Sequence, residues 1–176
     1  MKTQIVLSGV GGQGLISTGE IIGQAASIYE NGYATLAAAY GSETRGTFTK
    51  SDVIVSDEPI SYPNVNTPDV ILCLAQVAYN RYADRCAEHT LVFYDTELVT
   101  PAAQGKGVFI GYPFKQMGIE MGNMAVANTI ALGAILKRTG MLKRDSVVEA
   151  ISAYFAAKPK VIGINIQALD AGLALE

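Results

Sequence analysis

Gly9-Val10-Gly11-Gly12-Gln13-Gly14 follows the apolar run Thr3-Gln4-Ile5-Val6-Leu7-Ser8 and precedes a helical pattern over residues 15–29. A glycine-rich turn between a strand and a helix lets a ligand come close to the backbone. It also aims unpaired helix N–H groups at negative charge. Strand and helix patterns keep alternating after it. Residues 33–38, 47–56, 70–75 and 91–95 read as strands, and 107–111 as a weaker last one. This alternation predicts an α/β chain of three layers, α/β/α, with a mostly parallel, Rossmann-like sheet and a helical C-terminal third, in one domain over 1–176.

Gly9, Gly11 and Gly14 satisfy the spacing of a dinucleotide fingerprint. That fingerprint also needs a carboxylate about 20 residues on, at the end of the second strand, to hold a ribose hydroxyl. Here that end reads Leu36-Ala37-Ala38-Ala39-Tyr40, and the first carboxylate is Glu43, in the polar loop beyond it. The motif is present without its usual partner. Without a ligand, the same glycines serve a tight turn and close helix–strand packing.

Composition narrows the classes. The chain of 176 residues carries 13 basic and 16 acidic side chains, a net charge of −3, and no basic cluster that would suit nucleic acid or a membrane surface. Charged residues make up 16% against about 25% in typical globular proteins, and 49% are hydrophobic. No apolar stretch reaches the length of a membrane span, and Met1-Lys2-Thr3-Gln4 leads into a strand rather than a secretory signal. A chain so short of charge is expected to cover part of its surface with another chain. Cys73 and Cys86 stand apart, so no iron–sulfur or zinc set is legible, and the single histidine, His89, has no nucleophile or orienting acid beside it in sequence. Both thiols are expected to be small buried hydrophobes in a reducing cytoplasm.

Along the chain, Ser17, Glu20, Gln24, Ser27 and Asn31 form a narrow polar stripe on the first helix, and apolar residues including Ile28 predict packing on more than one side. Residues 57–69 carry Pro59, Pro63 and Pro68 and read as an extended connector. A helix is expected over 78–88. Another is expected over 124–136, with Asn123 as N-cap, Lys137 and Arg138 at its C-terminus and Gly140 ending it. Within it Asn128 must find hydrogen-bond partners, either in the core or across a subunit contact. Two further amphipathic helices are expected over 143–157 and 161–173.

The second informative stretch is Tyr40-Gly41-Ser42-Glu43-Thr44-Arg45-Gly46. In a parallel α/β sheet it would face the same crevice as the glycine turn. Tyr40, Glu43 and Arg45 supply a stacking ring, an acceptor and a bidentate donor, suited to a phosphate or carboxylate ligand. A Glu43–Arg45 pair that pins the loop is the alternative use of the same residues.

Gly-Val-Gly-Gly-Gln-Gly, Tyr-Gly-Ser-Glu-Thr-Arg-Gly and Ser56-Asp57-Glu58-Pro59-Ile60 occur in this order in the gamma subunit of thiamine-dependent 2-oxoacid:ferredoxin oxidoreductases, which this chain resembles over essentially its whole length. Gly122-Asn123, Asn128 and Asn165-Ile166-Gln167-Ala168-Leu169 look similar too. The pattern departs at Thr47, where the family carries a second glycine. The resemblance implies a cytoplasmic hetero-oligomeric complex that oxidatively decarboxylates a 2-oxoacid, with 2-oxoglutarate favoured and pyruvate or a branched 2-oxoacid as alternatives. Electrons pass through iron–sulfur clusters to ferredoxin, and an acyl-coenzyme A is made. Thiamine pyrophosphate, magnesium and the clusters would sit on partner subunits. This chain would carry no catalytic residue and no metal of its own, and alone would be inactive, with self-association left open.

By the same analogy, Gly9, Gly11, Gly12, Gln13, Gly14, Tyr40, Gly41, Glu43 and Arg45 would border an inter-subunit site on the coenzyme A side. The competing reading is a self-contained nucleotide-binding protein with a GxGGxG turn, resembling an activating enzyme or a regulatory domain.

Overall fold

The structure, a computed structural model, describes residues 1–40, 47–102 and 105–176, with Tyr40 described by its backbone. Six strands form one sheet: β1 (Lys2–Val10), β2 (Tyr33–Tyr40), β3 (Phe48–Ser56), β4 (Val70–Cys73), β5 (Leu91–Asp95) and β6 (Val108–Tyr112), in the order β2-β3-β1-β4-β5-β6. Strands β1, β4, β5 and β6 pair in parallel. Strand β3 is antiparallel to both β1 and β2, so five of the six strands point the same way.

This arrangement changes the meaning of the second strand. In a dinucleotide fold the strand after the first helix lies next to the first strand. Here β3 is inserted between β1 and β2, and the two strands β2 and β3 pair antiparallel at the sheet edge. Sequence alternation cannot separate the two cases, because the side-chain period is two in either pairing.

Six helices complete the chain: α1 (Leu15–Gln24), α2 (Gln76–Tyr82), α3 (Phe114–Glu120), α4 (Ala127–Thr139), α5 (Arg144–Tyr154) and α6 (Ile162–Leu173). The layers are unequal. The larger core packs α1, α3, α4, α5 and α6 against Ile5, Leu7, Val53, Val55, Val70 and Leu72. The opposite face bears α2, whose Ala78 and Tyr79 lie on Val6, Ile71, Cys73 and Val92. Helix α2 stops at Tyr82, short of the expected span to 88.

The first helix continues from α1 into a π-helical turn, Ala25–Tyr29, and Asn31 follows it with a left-handed φ of 54°. Ile28 does not pack as expected; it is 61% exposed. Helix α4 is entered through a 3-10 turn, Met124–Val126, where Asn123 Oδ1 accepts from the Ala125 amide at 3.0 Å. Gly140 ends it with a φ of 61°. Both expected caps are in place. Gly133 of α4 and Gly172 of α6 meet backbone to backbone, a contact that a side chain on either would obstruct. A bidentate ion pair from Arg144 to Asp170, 2.6 and 2.9 Å, fastens α5 to α6.

Candidate functional site

The glycine turn sits where β1 gives way to α1, and its shape is set by side chains around it. Gln13 folds back so that its Oε1 accepts from the Val10 amide at 2.9 Å, while its Nε2 donates to the Leu74 carbonyl at 2.8 Å. One side chain therefore clamps the C-terminal ends of β1 and β4, and both ends of its amide are engaged with backbone.

Gly14, with φ 72°, is the N-cap position of α1 and offers no side-chain cap. Its carbonyl accepts from the Thr18 amide (3.0 Å), Thr18 Oγ1 (2.8 Å) and Asn128 Nδ2 (3.1 Å). Asn128 is thus a satisfied polar group that ties α4 to the turn. The polar chain extends from its neighbour: Thr129 Oγ1 donates to Asn165 Oδ1 at 2.8 Å, and Asn165 Nδ2 donates to the Val161 carbonyl at 2.8 Å.

The amides of Gly12, Gln13 and Gly14 have no acceptor among the described residues, and the first turn of α1 holds no acidic side chain. Gly12 is exposed, with a φ of 90°. Gly12 and Gln13 border a cavity of about 260 Å³ at the C-terminal end of the parallel strands. This is the end of an open α/β sheet at which ligands bind.

Opposite the turn, the cavity is closed by two charged residues that sequence reasoning missed. Asp95, at the end of β5, is fully buried. Its Oδ1 accepts from the amides of Glu97 (2.9 Å) and Leu98 (3.1 Å), and its Oδ2 from the amide of Lys115 (2.8 Å). Three backbone donors satisfy this carboxylate and fold the β5 exit onto the start of α3. The signal was present as an Asp closing a short apolar strand before a polar turn, the sequence of an Asx turn. Lys115 lines the cavity with no ion-pair partner among the described residues. Nothing in sequence marked it, because α3 is seven residues long and was not legible as a helix. Leu74, Leu98 and Met124 supply the apolar part of the wall.

The backbone of Tyr40, the first residue of the second motif, reaches the same end of the sheet, through antiparallel rather than parallel pairing. The backbone of Tyr40 pairs with Thr49, Thr49 pairs with Gly9, and the Gly11 amide donates to the Thr47 carbonyl at 3.2 Å. Gly41, Glu43 and Arg45, and the side chain of Tyr40, lie outside the described residues.

The remaining candidates are elsewhere. His89 is exposed, with Nε2 3.4 Å from Asp69 Oδ1. Cys73 is buried beside Ser8, and burial pushes its thiol up to about 12. Among the described residues no group of His, Cys, Asp and Glu could hold a metal ion, and no helix is long and apolar enough to cross a membrane.

Residues 4–175 match the pyruvate ferredoxin/flavodoxin oxidoreductase family. The 2-oxoglutarate synthase subunit KorC of Methanocaldococcus jannaschii is 40% identical over 154 residues, which cover 86% of this chain and 82% of that protein. The ketoisovalerate oxidoreductase subunit VorA of Methanothermobacter thermautotrophicus is 35% identical over 174 residues; they cover 97% of this chain and 36% of that longer protein. Among solved structures, a keto/oxoacid ferredoxin oxidoreductase gamma subunit from Geobacter sulfurreducens superposes with a TM-score of 0.83 at 32% identity, covering 97% of this chain and 95% of that one.

Proposed function

The chain belongs to the pyruvate ferredoxin/flavodoxin oxidoreductase family, and from that premise we propose that it is the gamma subunit of a cytoplasmic complex that converts a 2-oxoacid to an acyl-coenzyme A. As one gamma-type domain, it lends a wall to a site that partner subunits complete. The observation that carries this reading is the cavity between the glycine turn and Lys115. Gly12 and Gln13, whose amides have no acceptor among the described residues, and Lys115, which has no ion-pair partner among them, line it with Leu74, Leu98 and Met124, which supply its apolar part.

That donor set suits a phosphate-bearing ligand with an apolar arm, which is the chemistry of coenzyme A. The space is about 260 Å³, below the roughly 300–1,000 Å³ of pockets that enclose a small ligand by themselves. It takes part of such a molecule, and other chains must cover the rest. Gly9, Gly11 and Gly14 shape the turn, Gly12 and Gln13 present amides, and Lys115 supplies charge. Thr47, the described residue after the second motif, accepts from the Gly11 amide, and we assign Tyr40, Gly41, Glu43 and Arg45 to the same inter-subunit site.

We place thiamine diphosphate with its magnesium, and the iron–sulfur clusters, on partner subunits. A cluster needs about four cysteine ligands, and the chain has two, both buried. When bound on a partner subunit, thiamine supplies the carbanion chemistry. The residues here bind, orient and exclude water.

The substrate favoured is 2-oxoglutarate, supported by the 40% identity to one 2-oxoglutarate synthase subunit; three other such subunits, at 30–35%, match no better than the ketoisovalerate counterpart at 35%. Affinity purification of the tagged chain from its native source tests the whole reading. A complex with a thiamine-bearing and a cysteine-rich subunit is expected, reducing ferredoxin fastest with 2-oxoglutarate and coenzyme A. Recovery of the chain without a thiamine-bearing partner would overturn the function, and faster turnover of a branched 2-oxoacid would overturn the substrate.

A further inference from the structure

Gly9 is a glycine that its own backbone does not require. It lies in β1, paired with Thr49, and its φ is not left-handed. A glycine in a strand weakens it, and often marks a place where another group comes close. Here that group belongs to the chain itself: a methyl group on Gly9 would collide with Oε1 of the Gln13 carboxamide.

The ladder beside it shows what the carboxamide does. Strands β1 and β4 pair in parallel from Ile5 with Val70 to Ser8 with Cys73, and the Leu74 amide still donates to the Ser8 carbonyl at 2.9 Å. In a parallel ladder the next bond runs from the Val10 amide to the Leu74 carbonyl. Instead, Val10 donates to Gln13 Oε1 at 2.9 Å, and Gln13 Nε2 donates to the Leu74 carbonyl at 2.8 Å. A side-chain amide is inserted into that rung, in the one orientation that satisfies both neighbours. It holds β1 and β4 apart at the end of the sheet where Gln13 and Leu74 line the cavity.

We propose that Gln13 is a positioning residue for coenzyme A: its carboxamide, seated over Gly9, is a wedge that keeps β1 and β4 open and sets the glycine turn in its place at the cavity. Without the wedge, the Val10 amide and the Leu74 carbonyl would both be left unpaired in a partly buried position. That is costly enough for them to bond each other. The rung then closes, and the end of β1 carries the turn toward β4. Gly12 and Gln13, whose amides have no acceptor among the described residues, move with it. The positioning role rests on the function proposed above, in which these amides meet a phosphate of coenzyme A. The wedge itself is a property of the chain alone.

NMR of the isotope-labelled full chain reads the rung directly, through the scalar coupling that a hydrogen bond transmits from the amide nitrogen to the carbonyl carbon. In wild type, Val10 is expected to couple to the Gln13 carboxamide and not to Leu74. In Gln13→Ala a Val10–Leu74 coupling should appear. Gly9→Ala expels the carboxamide and should produce the same coupling, and the double variant should match either single one, because both changes act on one rung. In the assembled complex, Gln13→Ala and Gly9→Ala are each expected to raise the KM for coenzyme A about tenfold while the KM for the 2-oxoacid stays unchanged. A Gln13→Ala chain in which Val10 does not couple to Leu74 overturns the wedge, and this variant decides the matter even where Gly9→Ala folds poorly. Closure of the rung with an unaltered KM for coenzyme A overturns the positioning role. A wild-type complex whose turnover does not depend on coenzyme A would instead overturn the function, with the coupling in the free chain still deciding the wedge.

Discussion

The side-chain amide of Asn128 donates to the carbonyl of Gly14 at 3.1 Å, joining the start of α4 to the turn that opens α1 although 114 residues lie between them. Removing the donor strands no buried charge, because Thr18 still supplies two bonds to that carbonyl. Asn128→Ala is therefore expected to cost about 1–2 kcal/mol, the range for loss of a partly buried hydrogen bond. Asn128→Asp should cost more, since it aims a carboxylate at the carbonyl. Urea unfolding measures both; the midpoint should fall while the slope with denaturant is unchanged.

Gly14 and Gly12 separate backbone strain from steric fit. Both have left-handed φ, 72° and 90°, and an alanine at either carries roughly 1–2 kcal/mol of conformational cost. At Gly12 a methyl group meets open space, whereas at Gly14 it meets the Asn128 amide. Gly14→Ala is expected to lower thermal stability more than Gly12→Ala. In the Gly14→Ala, Asn128→Ala double variant the difference should shrink, because the clash partner is gone.

Much of the frame was readable in sequence, and the failures have physical causes. The caps at Asn123 and Gly140 are local hydrogen-bond chemistry, so the residue types announce them. The orientation of β3 is a long-range choice that alternation does not encode, and β2 thereby lost the position that the dinucleotide motif assumes. Helix α3 was invisible because Phe114–Glu120 is too short to show a period and contains Gly118, whose missing side chain admits the Asn123 and Met124 carbonyls. With it went Lys115. Gln13 was singled out as a residue of the turn, but its clamp on Leu74 depends on β1 and β4 being neighbours, which sequence does not state.

Cys73 gives stability an alkaline slope. Its thiol holds its proton up to about 12 in the folded chain, chiefly because it is buried, and gives it up near 9.0 when unfolded. Between those values unfolding releases a proton, so stability falls as pH rises, by at most about 1.4 kcal/mol per pH unit; below pH 9 the group contributes no slope. Burial also raises Tyr82 from 10.0 to about 12, adding a second contribution above pH 10. Urea midpoints measured at pH 8, 9 and 10 should therefore decline less steeply in Cys73→Ala than in wild type. An equal decline in both proteins would remove Cys73 from the account.

Lys115 separates a ligand-binding role from a structural one. Its backbone amide serves Asp95, its ammonium has no ion-pair partner among the described residues, and the residue lines the cavity with Gly12 and Gln13. Lys115→Gln keeps the backbone amide that serves Asp95 and removes the charge, so the fold should be unaffected within about 0.5 kcal/mol, as for surface changes that break no contact. In the assembled complex the same variant removes a cation from the wall proposed to meet phosphate. The KM for coenzyme A is expected to rise about tenfold, equivalent to roughly 1.4 kcal/mol of binding. The KM for the 2-oxoacid should stay unchanged, because a 2-oxoacid carries no phosphate to meet this wall. Added salt should weaken coenzyme A binding in wild type and much less in the variant, since screening acts on a charge the variant lacks. A Lys115→Gln complex with an unaltered KM for coenzyme A would take the ammonium out of the site and leave Asp95 and its three amides as a purely structural corner.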